Sequence, residues 1–214
     1  MTADALTVAE FQAEAQALCE VGRLFGHRQW CLATGGNFSL RVDDQHLLIT
    51  RSGTDKAFLA ADGLMLCDLD GAPADRRLRP SAETALHVAL YALDDGAGAV
   101  LHTHSVTSTV LSRAATNDLV IEGFEMQKAI EGIASHEERL ILPVLENGQD
   151  MRKLATLVRE RYALGQLRAR GFLVRGHGLY AWGDDLESAR RHLEGLEFLL
   201  ACLWQERLLS GRTP

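Results

Sequence analysis

The sequence predicts an α/β fold in which a mixed or antiparallel sheet is covered by helices. Strand-like and helix-like periodicities alternate irregularly, hairpin turns are mixed among helical connections, and neither a linker nor an internal repeat interrupts the 214 residues,. An all-β barrel carrying a His-x-His pair is excluded, because such a barrel would not contain four amphipathic helices.

Thr7-Val8-Ala9-Glu10 has the form of a capping box, and Phe11, Ala15, Leu18 and Leu24 continue an apolar stripe, so a first helix is expected from about Thr7 to Phe25,. Thr34-Gly35-Gly36-Asn37 is a turn signal,. Phe38 to Val42 alternates as a half-buried strand, Asp43-Asp44 turns the chain, and His46 to Thr50 supplies the hairpin partner,. A small-residue loop, Arg51-Ser52-Gly53-Thr54, follows, and Leu64 to Leu69 reads as another strand closed by Asp70-Gly71,.

Arg79-Pro80 breaks the chain, and Ser81 is placed to cap a helix through Leu93 with Leu86, Ala89, Leu90 and Leu93 on its core face,. The apolar run after Gly96 reads as a strand ending in His102 and His104, with Ser105 capping a helix to about Arg113. A strand near Leu119 to Ile121 leading to Gly123-Phe124-Glu125-Met126, a short helix after that segment and a strand from Leu140 to Val144 are expected next. Met151, Leu154, Leu157 and Val158 mark a helix over 149–164, Phe172 to Val174 and Leu179 to Trp182 flank a Gly-His-Gly turn, and Asp184 or Asp185 caps the long last helix,.

Length and a hydrophobic content of 47% suit one domain over residues 1–214,. A net charge of −7 without any run of basic residues longer than Arg76-Arg77 argues against a nucleic-acid partner,. Cys19, Cys31, Cys67 and Cys202 are scattered without Cys-x-x-Cys pairing, which fits reduced thiols rather than a disulfide framework,. No basic-then-apolar leader opens the sequence, and no apolar run approaches the roughly 20 residues of a bilayer span. A soluble cytoplasmic protein without a membrane partner is expected.

The chemistry centres on Leu101-His102-Thr103-His104-Ser105. Residues i and i+2 of a strand share a face, so both imidazoles point the same way. That arrangement fits a metal-binding pair, although a lone His-x-His is more often an edge strand showing two solvated histidines. His177, between two glycines that allow close backbone approach, is the candidate third ligand,. Three neutral imidazoles with one open position form the usual catalytic zinc site.

Thr34-Gly35-Gly36-Asn37-Phe38-Ser39, Thr50-Arg51-Ser52-Gly53, Ser81-Ala82-Glu83, His102-Thr103-His104-Ser105 and Gly176-His177-Gly178 together resemble, in order and spacing, the class II aldolase/adducin family over nearly the whole chain. The resemblance implies an α/β/α sandwich around a mostly antiparallel central sheet. It also implies one zinc ion per subunit, held by His102, His104 and His177, and a homotetramer with sites at subunit interfaces. Leu193, Leu196, Leu200 and Leu203 with Phe198, Leu199 and Trp204 make the last helix apolar around more than one face, which adds support for a covering neighbour,.

Gly123-Phe124-Glu125-Met126-Gln127-Lys128 and Leu142-Pro143-Val144-Leu145-Glu146-Asn147 resemble the family's dehydratase branch. That branch converts 5-methylthioribulose 1-phosphate to 5-methylthio-2,3-dioxopentyl 1-phosphate in methionine salvage. By this resemblance Glu125 is the expected acid/base, whereas read alone it is a solvated loop carboxylate. Glu83 is open between a catalytic acid/base, a fourth zinc ligand, a residue orienting the ligands, and a helix first-turn acid favoured by the helix dipole. Asn37, Ser52, Gly53 and Ser81 match the family's phosphate-binding positions, although each also suits ordinary turn chemistry. Lys56 and Arg175 could add positive charge. The alternative activity is a zinc-dependent aldolase or epimerase acting on another small sugar phosphate. An adducin-like assembly role is disfavoured, because adducin-like domains lack the zinc histidines.

Overall fold

The computed structural model describes residues 6–211. Among them the strands are β1 (Asn37–Arg41), β2 (His46–Thr50), β3 (Leu64–Asp68), β4 (Ala99–Thr103), β5 (Leu119–Ile121), β6 (Leu140–Leu142), β7 (Val144–Leu145), β8 (Gly171–Val174) and β9 (Gly178–Gly183). The α-helices are α1 (Gln12–His27), α2 (Thr84–Leu93), α3 (Val106–Ala114), α4 (Met151–Ala163) and α5 (Leu186–Leu209). Seven strands form one sheet in the order β3-β2-β1-β4-β9-β8-β7, and β5 pairs with β6 in a separate ladder. Every pairing is antiparallel except β7 with β8.

Side-chain alternation divides the core between the two faces of this sheet. Ala99, Leu101, Leu173, Leu179 and Ala181 pack with residues of α1, α3 and α5, whereas Val100, Phe172, Tyr180 and Trp182 pack with α2 and α4. The expected α/β/α sandwich around a mostly antiparallel sheet is therefore present. Strand register places Asn37 opposite His102, His102 opposite Tyr180, and Tyr180 opposite Phe172. One row of side chains on the α2 face thus leads from the start of β1 to the end of β4.

Three local expectations differ from the structure. The first helix opens as a 3₁₀ turn, Val8–Phe11, with no cap from the Thr7 side chain; Glu10 N–H instead donates to the Thr7 carbonyl at 3.2 Å. That tighter i to i+3 bond replaces the capping box and delays α1 to Gln12,. The strand expected from Leu140 to Val144 is two strands in two different ladders, divided at Pro143, which has no N–H to donate,. The flanking groups bond elsewhere: Leu173 N–H donates to the Pro143 carbonyl at 2.8 Å and Val144 N–H to Asp118 Oδ1 at 3.0 Å.

Ser81 does not cap α2, which begins at Thr84 after Glu83 as N-cap. The Ser81 hydroxyl lies beside Asn37 instead. At the last helix the cap is Asp185, whose carboxylate accepts Ser188 N–H at 2.7 Å.

Candidate metal centre

His102 is fully buried near the end of β4, and His104 follows just beyond it, where its backbone N–H donates to the Trp30 carbonyl at 2.7 Å. Ser105 then caps α3, its Oγ accepting Ser108 N–H at 3.0 Å. The turn joining β8 to β9 brings the third imidazole. Gly176 has φ +63°, a left-handed conformation suited to glycine, and a Cβ on Gly178 would lie 2.0 Å from the Thr103 carbonyl oxygen,. One glycine makes the turn and the other lets it press against β4, which carries His177 over His102. α3 holds the turn in place: Gly176 N–H donates to Ser112 Oγ at 3.0 Å and Thr109 Oγ1 to the His177 carbonyl at 2.9 Å.

The three Nε2 atoms form a triangle with sides of 2.8 Å (His102–His104), 3.0 Å (His104–His177) and 3.3 Å (His102–His177). Glu83 Oε1 lies 2.8 Å from His177 Nε2 and 3.6 Å from His102 Nε2. All four candidate ligand atoms are within 4.8 Å of one another. His102 Nδ1 is 2.9 Å from the Leu179 carbonyl, so this nitrogen carries the ring proton and Nε2 presents its lone pair to the cluster,. Burial drives His102 below the usual histidine value and His104 down to about 3, so both are neutral at neutral pH,. Burial opposes ionisation of Glu83, but its close imidazole partners His102 and His177 outweigh it and hold its carboxyl below the usual range.

Neutral imidazole lone pairs converging beside a carboxylate repel one another unless a cation lies between them. Nitrogens bound tetrahedrally at about 2.0–2.1 Å would be roughly 3.3–3.4 Å apart, close to the triangle described. The residues present, three imidazole nitrogens with the Glu83 carboxylate beside them, therefore fit a divalent metal ion.

The other expected site residues divide. Asn37 is buried, donating from Nδ2 to Glu83 Oε2 at 2.7 Å and to Ser81 Oγ at 3.0 Å. Asn37 and Ser81 thus meet at the base of Glu83. Ser52 and Gly53 lie on an exposed loop, and Gly53 has open space where a Cβ would stand. Lys56 is buried and donates to the carbonyls of Thr34 at 2.7 Å and Thr54 at 2.8 Å, tying together the two loops that carry the remaining motifs. Arg175 donates to Glu146 Oε1 at 2.8 Å and to carbonyls at the end of α3, so its charge is locally engaged.

Glu125 is not brought to the cluster within the chain. It begins the 3₁₀ turn Glu125–Ala129, is 69% exposed, and pairs with Lys128 at 2.5 Å and His136 at 2.9 Å. Residues missed in the sequence stand behind the cluster: His87 and Tyr91 on α2, Ser39 on β1, and Glu197 on α5. A signal existed for the first two, since 83, 87 and 91 repeat every four residues along one helix face. Glu197 had one as well, as a lone acid within the leucine stripe of the last helix.

Comparison with known proteins agrees with this architecture. Residues 16–204 match the family described as Class II Aldolase and Adducin N-terminal domain. The chain belongs to that family. It is 48% identical over 198 residues to a protein of Serratia proteamaculans named methylthioribulose-1-phosphate dehydratase, covering 92% of this chain and 97% of that protein. A Yersinia pestis protein of the same name is 50% identical over 195 residues, covering 91% and 87% of the two chains. Among solved structures, the L-fuculose-1-phosphate aldolase of Thermus thermophilus is similar, with a TM-score of 0.71 and 27% identity over 94% of this chain and 97% of that one.

Proposed function

We propose that this chain is a zinc-dependent hydro-lyase that converts 5-methylthioribulose 1-phosphate to 5-methylthio-2,3-dioxopentyl 1-phosphate in methionine salvage, acting as one domain over its length in the cytoplasm. The observation that carries the reading is the convergence of His102, His104, His177 and Glu83 in a chain nearly half identical to proteins of that name. No described helix is long and apolar enough to cross a membrane.

His102, His104 and His177 would hold the ion, with Glu83 Oε1 facing the fourth position. A bound divalent ion supplies Lewis acidity toward a carbonyl oxygen, which makes the neighbouring C–H more acidic. The chain's own groups then handle protons. Glu125 is proposed as the base that takes the proton from C3 and delivers it to the C4 hydroxyl, which departs as water. The C3 enol closes to the ketone as C4 gains a proton. The exposed carboxylate of Glu125 is accessible for that exchange,. Exposed Ser52 and Gly53 are proposed to receive the phosphate on backbone and hydroxyl donors, with Asn37 and Ser81 closing the inner side.

A homotetramer is proposed as the working assembly. Leu193, Leu196, Leu199 and Leu200 are buried within the subunit, which accounts for much of the stripe on α5, but Phe198 remains 49% exposed and Leu209 87% exposed. Light scattering at micromolar concentration should give four subunits; a fully active monomer would remove this part of the proposal.

A second reading is favoured by one observation: Glu83 lies in the cluster whereas Glu125 does not. In that reading Glu83 is the acid/base of an aldol cleavage. NMR of the reaction in deuterated water separates the two. Dehydration gives one product retaining every carbon, with deuterium at C4, and Glu125→Gln lowers turnover by roughly 10²–10⁴ while zinc is retained. Two carbon fragments, or unchanged turnover in Glu125→Gln, would overturn the dehydratase reading with Glu125 as base and return Glu83 to the leading place as acid/base.

A further inference from the structure

Glu83 is anchored from behind by a chain of buried polar groups whose directions are forced one after another. Its Oε2 is an acceptor, 2.7 Å from Asn37, so the Asn37 amide must turn its NH₂ toward the carboxylate,. Asn37 Oδ1 then faces His87 Nε2 at 3.1 Å, and a carbonyl oxygen only accepts, so Nε2 must carry the imidazole proton,. That leaves Nδ1 of a neutral ring bare. The Ser39 hydroxyl, 2.7 Å away, must donate to it, and Ser39 Oγ must in turn accept the Tyr91 O–H at 2.8 Å. Strand register puts Asn37 and Ser39 on the face covered by α2, which is why one helix can supply Glu83, His87 and Tyr91.

We propose that His87 is a positioning residue for the metal centre: its Nε2–H tautomer locks the Asn37 amide, which holds Glu83 Oε2 and leaves Oε1 facing His102 and His177. The groups behind Glu83 are all buried. Ser39 and His87 are 0% exposed, Tyr91 3% and Asn37 4%. In such surroundings a reversed amide would set a carbonyl oxygen against the carboxylate with no solvent to relieve it, so a single ring tautomer selects one side-chain arrangement at the cluster. Groups that orient metal ligands from behind typically change metal affinity or activity by about 10- to 100-fold when removed. The inference rests on reading the cluster as a metal centre, yet the tautomer itself is observable without metal or substrate.

The test uses the whole protein labelled with ¹⁵N, together with zinc titrations against a chromophoric chelator. The His87 ring should show a neutral Nε2–H imidazole with unprotonated Nδ1. An Nδ1–H tautomer or an imidazolium would overturn the inference, because the chain would then run the other way. His87→Leu keeps bulk but removes the donor and should weaken zinc binding about 10- to 100-fold, with His87→Gln, whose amide NH₂ can reach Asn37, recovering most of it. Wild-type affinity in His87→Leu, or equal damage in both variants, would overturn it. Should His87→Leu fail to fold, Ser39→Ala leaves Asn37 Oδ1 facing Nε2 and should keep the Nε2–H tautomer; an Nδ1–H ring in that variant would overturn the inference. Failure of the dehydratase reading appears separately, in the products formed from the sugar phosphate.

Discussion

Two carboxylates, Glu83 half-buried and Glu197 buried, stand on opposite sides of one strand end. Glu83, on the α2 side of β4, meets imidazoles and an amide NH₂, and its carboxyl is held below the usual range. Glu197, on the α5 side, accepts hydrogen bonds from Thr103 Oγ1 at 2.7 Å and Ser105 Oγ at 2.6 Å, and burial pushes its carboxyl up to about 7 because hydroxyl donors only partly offset the lost hydration. Burial disfavours charge in both; the partners decide the outcome. Glu83 is thereby kept as an anion beside a candidate cation site. Glu197 braces the residues between and just after the two histidines, so that strand alternation directs His102 toward the cluster and Thr103 toward the brace.

The largest effect that separates these two sides should come from the histidines. A His102→Ala/His104→Ala double variant should retain almost no zinc by elemental analysis and no measurable turnover, while Glu197→Gln should retain zinc near one per subunit. Stoichiometric zinc in the double variant would place the metal elsewhere. Next in size is Glu83→Gln, which keeps shape but removes the negative oxygen facing His177. Turnover should fall by roughly 10²–10⁴ if Glu83 moves protons, as steady-state rates would report. If instead it only completes the coordination, rates at saturating zinc should recover.

How much of this contrast could be read from the sequence depends on how local each cause is. His102 and His104 were visible because strand alternation is a two-residue rule, and the glycines around His177 announced a tight turn. Glu83 was visible as a motif member, but its choice among roles depended on the row of Asn37, His102 and Tyr180 across strands, which only the register sets. Pro143 was misread as lying within a strand because the apolar run continues through it, although its missing N–H divides that run between two ladders. The capping box at Thr7 was a valid local signal overridden by a tighter first turn. Glu125 could be named by resemblance alone, since its surroundings within the chain are Lys128, His136 and solvent.

A smaller effect should follow from Ser105→Ala. Its hydroxyl oxygen accepts Ser108 N–H at the start of α3, and its hydroxyl is also 2.6 Å from Glu197. Loss of an N-cap typically costs about 0.5–2 kcal/mol, and a buried carboxylate deprived of a donor adds to that. Denaturant unfolding should register the loss with zinc affinity changed by less than in Glu83→Gln. Equal damage to zinc binding in the two variants would mean that the brace and the anion are not separate devices.

The smallest effect at any one pH, and the sharpest as a profile, should come from Glu197→Gln. The Glu197 carboxyl lies at about 7 in the folded chain against an ordinary value of 4.5. Between those values the folded state holds a proton that the unfolded state has released, so the slope of unfolding free energy with pH is negative for this group. Its stabilising contribution is complete below about 4.5 and is lost as pH rises through about 7. Glutamine has no proton to lose and keeps a hydrogen-bonding amide of the same size. The variant should therefore gain stability relative to the parent as pH rises from about 4.5 to 7, then hold a constant difference above, with unfolding midpoints measured at each pH as the readout. Parallel profiles across that interval would mean that Glu197 stays ionised in the fold, and the contrast between the two carboxylates would then rest on position alone.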